Sequence, residues 1–124
     1  MIARCPRKAT EDPEKVRTAL LNLFPDAHVE EAEGEMRAVT GSLEILRQRI
    51  RDQRIRDTAR GELIKGRVED VLRFRLNKQA AFAGRVSFSA GSPLGDIEVL
   101  VEDADLDALI DDVAESTVGK RLKA

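Results

Sequence analysis

DVLRFRLNKQAAFAG, residues 70–84, carries the pattern that decides the fold. Leu72, Phe74 and Leu76 point one way, and Arg73, Arg75 and Asn77 the other. That period of two is a strand with one face in a core and one in water. The alternation stops at Asn77, which can cap a short helix over KQAAFA, closed by Gly84. A half-buried strand thus runs straight into a short helix, with cations on its wet side.

Downstream, RVSFS (residues 85–89) reads as a strand with Val86 and Phe88 inward, GSPLG as a turn, and DIEVLVE (96–102) as a strand with Ile97, Val99 and Val101 on one face. Asp103 or Asp105 starts a last helix with Leu106, Leu109, Ile110 and Val113 inward, and the polar tail from residue 115 to 124 is expected to fray. Upstream, residues 2–9 are β-compatible. In TEDPEKVRTALLNLFP, Asp12 or Thr10 can cap a helix with Pro13 at its first position. Val16, Ala19, Leu20, Leu23 and Phe24 form its apolar stripe, and Pro25 stops it. Residues 27–33 and 35–41 flank Gly34 as a hairpin, with Val29 in the first strand and Met36, Ala38 and Thr40 alternating in the second.

Between the hairpin and the opening stretch lies a segment rich in arginine, capped by Ser42. Leu43, Leu46 and Ile50 share one stripe; Ile55, Ala59 and Leu63 share another about half a turn away. One straight helix would have to bury two opposite sides, so the chain is expected to break near residues 51–53 into two helices. Gly66 ends the second. The predicted order is β-α-β-β-α-α-β-α-β-β-α, an α+β fold with a mainly antiparallel sheet and helices on one face. At 124 residues and 42% hydrophobic content the chain is expected to form one domain around one core, packed mainly by aliphatic side chains because its four aromatics are all Phe.

Charge is sorted along the chain. Residues 42–85 carry 12 basic and 6 acidic side chains, net +6, whereas residues 86–124 carry 3 and 9, net −6, within an overall −2. Residues 47–60 hold six Arg against two Asp. Helix pairs can form between Glu44 and Arg47, Asp52 and Arg56, and Asp57 and Arg60, but each contributes only about 0.2–0.5 kcal/mol and together they cannot neutralise the run. It is either a solvated helix face laced with ion pairs or a surface for an anion. A second basic surface on different secondary structure favours the anion: Arg73 and Arg75 on a strand face, and Asn77, Lys78 and Gln79 at a helix start. Phe82 could stack on a base, but it sits among Ala80, Ala81 and Ala83 and is assigned to the core, as are Phe74 and Phe88 on the same weighing. With no exposed stacking aromatic expected, recognition by shape and phosphate contact is favoured over a stacking platform.

Other chemistry is thinly represented. Asp103, Asp105 and Asp107 match the first three positions of a calcium loop, but Ala108 and Ala114 stand where glycine and glutamate are needed. One histidine, His28, and one cysteine, Cys5, cannot make a zinc site of standard composition. No glycine-rich phosphate loop or nucleophile elbow is present, no cofactor is implied, and the chain reads as non-catalytic. The lone cysteine, and the lack of a signal peptide or membrane-length apolar run, point to a cytoplasmic protein.

TEDPEKV, LNLFP, RIRDTAR, LNKQAAF and PLG, in this order, resemble an archaeal family described as RNA-binding proteins. The resemblance covers about Thr10 to Val101, and RIRDTAR (54–60) and LNKQAAF (76–82) are its most specific parts; ARCPRKA (3–9) departs from it. It implies a description like a double-stranded-RNA-binding domain, a link to the exosome, and a fold like the large-subunit ribosomal protein that binds 5S rRNA. By motif match it carries over Arg54, Arg56, Arg60, Asn77, Lys78 and Gln79 as RNA contacts. Residues and resemblance together lead to a non-catalytic protein that recognises structured RNA through phosphate contacts from Arg47, Arg51, Arg54, Arg56, Arg60, Arg73, Arg75, Asn77, Lys78 and Gln79. The alternative is a protein-interaction module or homodimer in which the basic segment 42–85 meets the acidic segment 86–124, either within one chain or across two copies. Arginines buried against Asp103–Asp112 would make their charge internal and remove the motive for RNA. Partners expected on these readings are RNA, a second copy, and exosome or ribosome-related proteins, with no membrane.

Overall fold

In the computed structural model, residues 2–6, 12–32, 34–89 and 96–115 are described, the first of these by backbone alone. The elements are β1 (Ile2–Pro6), α1 (Pro13–Leu23), β2 (His28–Ala32), β3 (Glu35–Val39), α2 (Glu44–Asp52), α3 (Arg56–Lys65), β4 (Arg67–Val68), β5 (Val71–Asn77), α4 (Lys78–Phe82), β6 (Asp96–Glu102) and α5 (Leu106–Val113). The strands form one six-stranded sheet in the order β2-β3-β1-β6-β5-β4, and every pairing is antiparallel.

The alternating pattern of residues 71–77 sets the two faces. Leu72, Phe74 and Leu76 are buried, as are Ile97, Val99 and Val101 of β6 and Met36 and Ala38 of β3. The helices cover this side, and one apolar cluster runs through α1, α2, α3, α5 and the inner sheet face. Burying aliphatic groups of this size contributes roughly 1.5–3 kcal/mol per side chain. On the opposite side Arg73 and Arg75 are exposed, and Arg75 lies across from Glu98 in register. The fold is therefore α+β with helices on one face.

Local chemistry sets the helix ends. The Asp12 side chain accepts from the Glu14 N–H, with Pro13 at the first position of α1. Asn77 accepts from the Ala80 N–H at the start of α4, and Asp105 from the Ala108 N–H at the start of α5. At α2 the cap position is Leu43, while the Ser42 hydroxyl takes the Glu44 N–H at 3.1 Å. Gly34, with φ 75°, turns β2 into β3. Gly66, after α3, brings its carbonyl to the Arg73 N–H at 2.9 Å, and a Cβ there would fall 1.9 Å from the Arg73 carbonyl oxygen. No side chain fits that approach, so glycine closes α3 against β5.

Three sequence expectations change. Residues 85–89 do not form a strand: Phe88 makes only an isolated bridge to Leu76, while Gln53 holds the backbone of Val86 from another element. The sheet instead gains the two-residue β4 between α3 and β5. Phe82 is 46% exposed instead of buried, because α4 packs through Ala81 and Lys78 and its end residue falls off that face. Thr10, the turn at residues 91–95 and the tail beyond residue 115 lie outside the described residues.

Candidate nucleic-acid interface

The arginine-rich segment breaks where its two apolar stripes demand. Leu46 and Ile50 of α2 are buried, then Ala59 and Leu63 of α3. Between the helices Arg54 adopts φ 59°, a left-handed conformation uncommon for a residue with a Cβ. The corner is pinned by Gln53, whose amide donates to the Val86 carbonyl and accepts from the Val86 N–H, both at 2.8 Å. Arg51 and Arg54 are exposed here. Arg51 has Asp52 at 3.6 Å; Arg54 makes no ion pair with any described residue.

Further along, the arginines have partners. α5 lies against α2 and α3 through Leu106, Ile110 and Val113, and its polar side carries acids toward them. Arg60 donates to Asp111 at 2.6 Å and to the Ala114 carbonyl at 3.2 Å. Arg56 has Glu115 at 3.6 Å, and Arg67 pairs with Asp107. Arg56 and Arg60 thus reach across to the acidic segment. Arg47 is bound within its own helix: Glu44 lies at 2.6 Å, and Arg47, Arg51 and Arg56 border a small cleft with Asp112 and Glu115. The hydrogen bond from Arg47 holds the Glu44 carboxyl below its usual range and raises the guanidinium of Arg47.

The remaining sequence-predicted residues separate from these. Arg73 and Arg75 occupy the open face of the sheet, with Arg75 3.9 Å from Glu98. Both also border a cleft of about 660 Å³ with Glu62, Lys65, Glu69 and Ser89. Asn77 is spent on capping α4, and Lys78 is 7% exposed and engaged. Gln79 is exposed. The structure therefore brings Arg47, Arg51, Arg54, Arg56 and Arg60 onto the helical side and puts Arg73 and Arg75 behind the sheet from them. Among the described residues no group of three or more His, Cys, Asp or Glu is placed to hold a metal ion, and no helix is long and apolar enough to cross a membrane.

Three further residues were absent from the sequence-predicted set. Arg49 donates to the Asn22 carbonyl at 3.3 Å, with its guanidinium beside Gly84. Arg85 and Phe82 are exposed nearby in sequence. The one available signal for Phe82 was length: a helix of five residues buries only two positions, and Ala81 takes one of them.

An antiparallel sheet backed by helices on one face, with arginines exposed at a pinned helix corner, defines the class of the protein as α+β. Residues 2–102 match a family model described as RNA binding. A UPF0201 protein of Methanothermobacter thermautotrophicus is 43% identical over 110 residues, 86% of this chain and 83% of that one. Another, of Methanocaldococcus jannaschii, is 39% identical over 126 residues, 96% of this chain and 74% of that one. A crystal structure of a UPF0201 protein from Methanococcus jannaschii has a TM-score of 0.87 at 38% identity, over 94% of this chain and 92% of that one. The chain belongs to this archaeal RNA-binding family, UPF0201.

Proposed function

We propose that the protein binds structured RNA without catalysing a reaction on it, through phosphate contacts centred on the corner between α2 and α3. The observation that carries this reading is Arg54: exposed, in a left-handed backbone, and without an ion pair to a described residue. Local strain of this kind costs on the order of 1–3 kcal/mol and persists where the surroundings over-determine it; here the Gln53 clip does so. Arg51 adds a second exposed guanidinium, and Arg47 borders the same small cleft as Arg51. Gln79, exposed on α4, is a further contact in this reading. Guanidinium matches phosphate in a bidentate fork. Arg56 and Arg60 enter only at the rim, because α5 holds them. Arg73 and Arg75 form a separate cationic surface beyond the sheet, which one RNA segment on the helical side would not reach. A cytoplasmic setting, and exosome or ribosome components as neighbours, belong to the same proposal.

The test is fluorescence anisotropy with a labelled RNA hairpin across a salt series. Affinity should fall with salt, and combining Arg51→Ala with Arg54→Gly should weaken binding and lower the salt slope by about 1 for each phosphate that is no longer neutralised. Arg73→Ala with Arg75→Ala should leave it near wild type. Wild-type protein that ignores the hairpin at low salt overturns the reading.

The second reading, an interaction module that joins basic to acidic segments, meets an obstacle. Within one chain the basic and acidic segments do meet: Asp107, Asp111 and Glu115 pair with Arg67, Arg60 and Arg56. That takes those arginines from the RNA surface and leaves Arg51 and Arg54 to carry it; a partner copy would have to displace these pairs.

A further inference from the structure

We propose that Phe82 is a stacking platform for one unpaired nucleotide at the margin of the RNA surface, flanked by Arg85 and Arg49. The inference rests on the RNA reading and deepens it, since phosphate contact alone gives Phe82 nothing to do.

Phe82 is 46% exposed at the end of α4, although an aromatic ring of this size gains by burial. Its backbone is nevertheless fixed. The Asn22 side-chain amide donates to both the Ala81 and Phe82 carbonyls at 3.0 Å, tying α4 to α1. The Ala83 N–H bonds back to Gln79, and the Arg85 N–H to Ala80 at 2.9 Å. An exposed ring on a tethered backbone loses little freedom when a flat partner lands on it.

The surroundings select the partner. The guanidinium of Arg49 lies beside Gly84, 3.6 Å from where a Cβ would sit, and is held there by the Asn22 carbonyl. Arg85 is exposed and makes no ion pair with a described residue. Val86, the next residue, is clipped to Gln53, which precedes Arg54. Arg85 by chain continuity and Arg54 through the Gln53 clip are thus tied to the platform, and Arg49 approaches it by its side chain beside Gly84. An apolar protein surface would find the cations costly to cover, whereas a nucleotide offers a base for the ring and a phosphate for the guanidinium. A duplex cannot present a free base face, so the ligand is a nucleotide at a bulge, loop or end.

The chain has no Trp and no Tyr, so Phe82→Trp creates a lone indole reporter. Its emission would be followed while anisotropy of a labelled RNA reports binding, with a blunt hairpin closed by a non-nucleotide linker in place of loop bases and with the same hairpin carrying an unpaired extension. Quenching by the extended hairpin beyond that by the blunt one supports stacking. In wild-type protein the extended hairpin should bind more tightly, by about tenfold for one stacked base, and Phe82→Leu should bring that ratio close to one. Binding of both hairpins with unchanged Trp emission overturns the stacking site and leaves the RNA reading intact. Failure of wild-type protein to bind either hairpin overturns the underlying reading, and the platform with it. Emission that shifts with protein concentration in the absence of RNA assigns the ring to a second copy of the chain and overturns the inference as well.

Discussion

Arg54 and Arg60 are six residues apart in one arginine-rich segment, yet they meet opposite surroundings. Arg60 reaches Asp111 at 2.6 Å and the Ala114 carbonyl at 3.2 Å, whereas Arg54 turns outward with no ion pair to a described residue. Residue type does not make the difference; what lies opposite does. α5 runs along α3 and carries acids in step with the arginines, while the α2–α3 corner faces the short loop held by Gln53. The family match ends at residue 102, just before α5. An arginine count therefore overstates the charge this chain can offer a polyanion, and the arginines worth most to a ligand are those α5 does not reach.

The seam between α3 and α5 can be broken in two ways, with very different consequences. Ile110 is 2% exposed and sits among apolar neighbours. Ile110→Ala should cost about 2–5 kcal/mol, since it leaves a cavity as well as forfeiting transfer energy. Arg60→Ala should cost no more than about 1 kcal/mol, because Asp111 is mostly solvated. Urea denaturation of both variants checks the contrast. Equal losses would mean that the ion pairs hold α5 in place.

RNA affinity gives the next effect. Arg51→Ala with Arg54→Gly should weaken hairpin binding by about tenfold at low salt and flatten the salt dependence, whereas Arg56→Ala with Arg60→Ala should change it several-fold less. The ranking of the two pairs is the informative result. If the α3 pair matters more, RNA displaces the α5 carboxylates on binding, and the corner is not the centre of the surface.

Much of this arrangement was legible from residues alone. The two stripes on the arginine segment required a corner, and Arg54 lies in it. The period-two pattern of residues 71–77 gave both sheet faces, and Asn77 capped α4 as expected. What could not be read was pairing across sequence distance. Asp52 and Arg56, four apart on a presumed helix, were natural partners, but the corner falls between them and Arg56 goes to Glu115. Gly66 reads as a helix end; that it must also let the Arg73 carbonyl approach emerges only in three dimensions. Phe82 misled because an aromatic among alanines suggests a core, while a five-residue helix has too little perimeter to bury it.

Replacing Arg54 alone sharpens the contrast further. Glycine accepts φ 59° without strain, so Arg54→Gly should leave stability unchanged or raise it by up to about 1 kcal/mol, partly offset by greater freedom of the unfolded chain. RNA binding should weaken in the same protein. A residue that costs stability where it stands and supports binding is what a contact site predicts. Thermal melts followed by circular dichroism provide the first reading and anisotropy the second. A melting temperature lowered by this substitution would mean that the Arg54 side chain supports the fold itself.

The smallest effect concerns Glu44 and Arg47, the arginine at the other end of the run. Their hydrogen bond at 2.6 Å lowers the carboxyl below its ordinary 4.5. The unfolded chain then binds a proton more readily than the folded one as pH falls. The contribution of the pair is complete above about pH 4.5 and disappears as pH drops through the lowered folded value. Carboxyl chemical shifts in an NMR titration should place the Glu44 midpoint below 4.5, and Arg47→Gln should return it toward that value. A saturating RNA hairpin adds a discriminating step. If phosphate takes Arg47 from its carboxylate, the Glu44 midpoint rises on binding; if RNA stays at the corner, it does not move. The same titration therefore shows how far along the arginine run the RNA extends.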